Sequence, residues 1–187
     1  MQRRFFSAGA SAALLATALV ASPALAADPQ CTIYGTDGDD YIEVVNAGEV
    51  FCGGAGNDSV GYNYGTFFGG ADRDWIFENA GTFIGGDGYD AVFYNTGTVI
   101  GGPGGDIVES NSGLFVGGPG DDHVEVNSGT FLGGAGDDRL FANHGLFNGG
   151  PGNDYVQYNV AGATFIGGYG YDVVEENHGR SFVPGPQ

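Results

Sequence analysis

The chain has 187 residues, 38 of them Gly, and a formal net charge of −18. That charge excludes nucleic acid and anionic membrane surfaces as partners and favours a cationic one. Disorder is excluded by the wealth of Phe, Tyr, Val and Ile, and collagen by glycines that do not recur at every third residue.

Residues 1–26 read as an export signal peptide. Arg3 and Arg4 supply the positive start, residues 8–21 the apolar stretch, and Ala24-Leu25-Ala26 the cleavage site. The Arg pair fits a twin-arginine signal or an ordinary Sec signal equally well. The expected mature chain, 27–187, is a single domain with three Arg, no Lys and 23 acids, a net charge of −20. Outside the cell, Cys31 and Cys52 are expected to pair. Residues 27–52 read as an N-terminal cap with a degenerate first coil, 53–177 as regular coils, and 178–187, with Pro184 and Pro186, as a tail that closes the rod.

Gly-Gly pairs begin at Gly53, Gly69, Gly85, Gly101, Gly117, Gly133, Gly149 and Gly167. The interval is 16 residues six times and 18 at the end; a degenerate copy starts near Gly35. The repeat reads G-G-x-G-x-D-x-apolar-x-x-N-x-G-x-F-apolar. Its sixth position is Asp in every copy: Asp40, Asp58, Asp74, Asp90, Asp106, Asp122, Asp138, Asp154 and Asp172. The eighth is aliphatic, from Ile42 to Val174; the eleventh is Asn, from Asn63 to Asn177; the fifteenth is Phe, with Val99 as the exception.

A 16-residue unit is too short for a βαβ crossover. It suits two short strands and two tight turns, with Gly at the φ > 0 positions. One coil cannot bury its own Phe and Val, but stacked coils line like on like. The expectation is an all-β parallel solenoid of about nine short coils, roughly 40 Å long at 4.8 Å per coil. The Asn column reads as a structural amide ladder.

In-register stacking also sets carboxylates about 4.8 Å apart, where each pair repels by about 0.9 kcal/mol even in water. A hard divalent cation between loops reverses that sign. Calcium, bound by six to eight oxygens, suits carboxylates and loop carbonyls; zinc lacks its His/Cys cluster, and magnesium prefers its waters.

Segments such as Gly117-Gly118-Pro119-Gly120-Asp121-Asp122-His123-Val124-Glu125 resemble the RTX, or haemolysin-type, nonapeptide G-G-x-G-x-D-x-apolar-x. The resemblance covers about 150 residues and implies a right-handed parallel β-roll with Ca2+ between successive loops. It implies side-chain ligands at Asp58, Asp74, Asp90, Asp106, Asp122, Asp138, Asp154 and Asp172. It implies carbonyl ligands in the loops that contain Gly86, Gly88, Gly102, Gly104, Gly118, Gly120, Gly134, Gly136, Gly150 and Gly152. The second nonapeptide of that family is replaced here by a shorter N-x-G-x-F segment without Asp. One ion column on one edge is therefore expected, with about five to seven ions. The loop at Asp72 and Arg73 is expected to weaken its two neighbouring sites.

His144 and His178 share a repeat position two coils apart and read, with His123, as solvated groups. Glu109, Glu125 and Glu175 recur at one strand position. They read as a solubilising face, although a carboxylate pair of a polysaccharide-active enzyme is the competing expectation. Thr66, Thr82, Thr98, Thr130 and Thr164 form a partial column, interrupted by Leu114 and Leu146, that suggests an ice- or carbohydrate-binding surface. No nucleophile–base pair or phosphate loop is present. The expected product is a secreted, non-enzymatic calcium-binding protein of the cell exterior, with an extracellular glycan or cell-surface partner and no membrane insertion.

Overall fold

The computed structural model describes residues 30–179 and 181–183, so residues 1–29 with the expected signal segment, Arg180 and residues 184–187 lie outside the described residues. Each coil gives one strand to each of two parallel sheets. The ten-stranded sheet contains β1 (Ile33–Tyr34), β3 (Val50–Gly54), β5 (Thr66–Ala71), β7 (Thr82–Asp87), β9 (Thr98–Ile100), β11 (Leu114–Pro119), β13 (Thr130–Ala135), β15 (Leu146–Pro151), β17 (Thr164–Tyr169) and β19 (Ser181–Val183). The nine-stranded sheet contains β2 (Tyr41–Val45), β4 (Ser59–Asn63), β6 (Trp75–Asn79), β8 (Ala91–Asn95), β10 (Ile107–Asn111), β12 (His123–Asn127), β14 (Arg139–Asn143), β16 (Tyr155–Asn159) and β18 (Val173–Asn177). No helix occurs among the described residues. The expected all-β solenoid of about nine coils is what the chain forms.

Register follows the repeat: Phe67 lies on Phe83, Val108 on Val124 and Asn111 on Asn127. The two coils of 18 residues keep that register because their extra residues sit in turns. Gly48 and Gly162, each at positive φ, mark these insertions, and a β-carbon there would meet nothing within 4 Å. A two-residue insertion leaves the alternation of a strand intact, whereas one residue would turn its side chains inside out.

Inside each coil the core is narrow: one Phe from the first sheet and one aliphatic from the second, fully buried from Phe51 to Phe165 and from Val60 to Val156, with Ile33, Ile42 and Val174 partly buried at the ends. The Phe rings stack face to face, with centroids 4.9 Å apart for Phe115–Phe131 and 4.6 Å for Phe131–Phe147. Val99 separates this stack from Phe51, Phe67 and Phe83, and β9, which carries it, has three residues where its neighbours have six. Cys31 and Cys52 form the expected disulfide, with Cα atoms 5.9 Å apart, and tie the first coil to the second. In the degenerate copy Val45 occupies the Asn position, paired with Asn63 and fully buried.

Candidate metal centre

The two turns of each coil are the polar corners of the interior. The Asp column runs along one and the Asn column along the other. Asp58, Asp74, Asp90, Asp106, Asp122, Asp138 and Asp154 are all buried, and Asp172 lies near the open end, partly exposed. The glycine-rich turn bends each carboxyl inward rather than toward solvent.

One oxygen of each carboxylate is used. The backbone N–H of Asp106 donates to Asp122 Oδ1 at 2.8 Å, and that of Asp122 to Asp138 Oδ1 at 2.9 Å. The same bond links every pair from Asp40–Asp58 to Asp154–Asp172. The other oxygen is not used. Oδ2 of all eight residues from Asp58 to Asp172 is buried and has no hydrogen-bond partner. A buried polar group without a partner is costly, and an ionised one more so.

Burial is the main consequence for acidity. It pushes Asp74, Asp106 and Asp138 up to about 8, Asp122 and Asp154 up to about 7, and Asp90 up to about 6. The N–H from the preceding coil opposes the rise at each site. Neighbouring carboxylates add to it at Asp106 and Asp138, as a smaller effect. Mutual repulsion, the cause inferred from stacking distance, is thus secondary to loss of water.

Asp40 shows what a self-sufficient turn looks like. Its Oδ2 accepts from Thr36 N–H at 2.6 Å and from Thr36 Oγ1 at 3.0 Å. Gly stands at that position in the regular coils, and no hydroxyl replaces it. Turn formation therefore accounts for Asp40 but leaves one oxygen of every later Asp unexplained.

The first Gly of each pair is required by the carboxylate itself. A β-carbon on Gly117 would lie 1.9 Å from Asp122 Oδ2, and one on Gly53 2.0 Å from Asp58 Oδ2. The second and fourth positions are glycines for another reason. Gly102 and Gly104 have φ of 121° and 144°, and a β-carbon on either would collide with the carbonyl of Gly86 or Gly88. Those carbonyls lie between successive loops, as do those of Gly118, Gly120, Gly134, Gly136, Gly150 and Gly152. Asp72 takes the fourth position at φ 75°, the one non-glycine with positive φ among the described residues. Arg73 beside it lies over the Tyr89 ring, 4.9 Å from its centroid. The Asp74 carboxyl is nonetheless buried like its neighbours, so the departure in this loop is confined to its backbone and rim.

The loops also carry a second ladder, which the repeat pattern does not announce. The fifth-position side chain takes the N–H of the same position in the next coil: Asp137 N–H donates to Asp121 Oδ1 and Asn153 N–H to Asp137 Oδ1. Asp39 does the same for Asn57, and these bonds hold its carboxyl below the ordinary value. The signal is present as Asp or Asn at that place in five coils; Arg73, Tyr89 and Gly105 interrupt it, and Tyr171 ends it.

Among the described residues no three His, Cys, Asp or Glu side chains come together as a metal-ligating group. An ion at this edge would draw its ligands from Oδ2 atoms, loop carbonyls and water, all hard oxygens, which is the donor set calcium prefers. Each Asp brings a single free oxygen, so the residues fit a cation that accepts backbone ligands and not one that needs a cage of side chains. The candidate Glu109 and Glu125 are register neighbours on β10 and β12, and Glu125 pairs with His123 at 3.5 Å. Comparison with protein-family models, with curated proteins and with solved structures finds no match for the chain.

Proposed function

We propose that this chain is a secreted calcium-binding rod, without enzymatic activity, in which ions held along the Asp edge drive folding. The observation that carries it is the row of eight buried Oδ2 atoms without partners, beside the one copy, Asp40, in which Thr36 fills that need. A proton on each Oδ2 would remove the charge. A divalent cation satisfies the oxygen and the charge together. Asp90, Asp106, Asp122, Asp138, Asp154 and Asp172, in successive coils of regular G-G-x-G-x-D loops, are the strongest ligands, with carbonyls of the intervening loops. Calcium supplies positive charge and oxygen coordination there. The chain's own residues do the rest: the glycines admit the carboxylates, and the Asp N–H groups fix their Oδ1 atoms.

Binding to the folded state alone adds about 2.7 kcal/mol per site at a hundredfold excess over Kd. The low-calcium chain is then expanded and the calcium-loaded chain rigid. Isothermal titration with Ca2+, followed by circular dichroism with chelator added, tests this. Several ions per chain and a β-sheet signal lost in chelator are expected. No binding heat together with a chelator-independent melt would end the proposal.

A further inference from the structure

We propose that the outer face of the ten-stranded sheet binds a second copy of this chain, packed face to face about a two-fold axis parallel to the rod. Charge is segregated between the two sheets. The second sheet carries Glu43, Glu78, Glu109, Glu125, Glu175 and Glu176 on its strands. In the first sheet, from β3 to β17, the strands hold one charged residue, Asp87, at the exit end of β7. Its outward columns are Thr or Leu at one position and Phe68, Ile84, Ile100, Val116, Leu132 and Ile166 at the other, with Asn148 as the polar exception. They stand half-buried against one another, and Ile100 is 38% exposed. In a molecule this acidic, this is the face on which two copies meet with least repulsion.

Its side-chain columns differ in height. The Phe68–Ile166 column is a ridge. Beside it stand the second glycines of each pair, without side chains; toward the N-terminal end a groove of about 570 Å³ runs over Gly54, Gly70 and Gly86 between Phe68 and Ile84 on the sheet and Cys31, Tyr34 and Thr36 of the cap, with Asp37 and Asp87 also lining it. A two-fold axis along the rod, placed between ridge and glycine row, seats each copy's ridge over the other's glycine row. The same operation sets the Asp edge of one copy over the Asn edge of the other. An axis across the rod would instead lay Asp edge on Asp edge. About eight coils at 4.8 Å and a width of about 16 Å give roughly 600 Å² per copy, near the 800 Å² per partner of a stable complex. The aromatic cluster on the opposite sheet, Trp75, Phe77 and Phe93, is flanked by Glu78 and Glu109, so like copies repel there.

Sedimentation velocity of the chain across a wide concentration range in excess calcium tests this, with circular dichroism confirming that the protein is folded. A species of twice the mass, growing with concentration, is expected. Ile84→Lys with Leu132→Lys should weaken it at least tenfold while the β-sheet spectrum is kept; Thr130→Glu is the milder variant if the pair does not fold. Phe93→Lys, on the other sheet, should leave it unchanged. A monomer at every concentration overturns the proposal, as does a dimer that withstands the Ile84→Lys and Leu132→Lys pair or one abolished by Phe93→Lys.

Discussion

The two corners of each coil solve the same problem with different side chains. At the Asn corner, Asn111 Nδ2 donates to Asn127 Oδ1 at 2.8 Å and to the Thr130 carbonyl at 3.0 Å. Asn95 Oδ1 takes a further N–H from Gly97. An amide both donates and accepts, so a column of amides closes on itself. At the Asp corner a carboxylate only accepts: Oδ1 is paired, and Oδ2 has nothing to accept from. The lesson is that a buried polar stack can be autonomous or can be left incomplete by one atom per coil. The choice is made by a change as small as amide against acid.

Four experiments break or sharpen that contrast. The largest effect is expected from Gly117→Ala, which puts a β-carbon 1.9 Å from Asp122 Oδ2. The loop must open, at a cost of roughly 4 kcal/mol or more, read as a fall in the denaturation midpoint. Asn111→Asp carries the acid to the wrong corner. It removes two donated bonds and sets an acceptor against two acceptors, for a loss of about 3 kcal/mol by the same measurement. Calcium should not rescue it.

The pH dependence comes next. The buried Asp carboxyls titrate at about 6 to 8 when folded and near 3.8 when unfolded. The folded state then holds more protons than the unfolded one between these values. Stability in chelator is complete below about 4 and is lost as pH rises through about 8. Thermal melts in chelator from pH 4 to pH 8 should show a falling midpoint, and calcium should flatten the curve. A midpoint that rises over this range would contradict it. The smallest effect is expected from Asp122→Asn in chelator at about pH 4, where the parent stays folded. It exchanges an unpartnered oxygen for an unpartnered amide, so stability should stay within about 1 kcal/mol of the parent. Its titration should show fewer ions bound, which separates the corner's stability from its ligand capacity.

Much of this architecture is legible in the sequence because a strict period makes columns. Phe115 over Phe131, Val108 over Val124 and Asn111 over Asn127 follow from counting by sixteen. The direction in which Asp122 points does not. Whether a turn residue faces water or the coil interior depends on the φ of Gly118 and Gly120 and on the room above Gly117, which only packing reveals. For that reason the spacing suggests repulsion between carboxylates, where burial proves the larger effect. Thr36 is similarly opaque: its place in a degenerate copy gives no hint that it completes Asp40. The fifth-position ladder is hidden because Asp121, Asp137 and Asn153 resemble ordinary polar loop residues until their side-chain oxygens are seen to grip the next coil.

The bonds at both corners have an arrow. The N–H of Asp106 and the amide of Asn111 each wait for groups that lie 16 residues further along the chain. A coil is therefore finished by its successor, as a knitted row is secured by the one after it. Loop closure over so short a stretch costs little entropy, so the rod can lengthen row by row from its disulfide-pinned start without awaiting distant partners. Among the described residues the last rungs of the two ladders are Asp172 and Asn177.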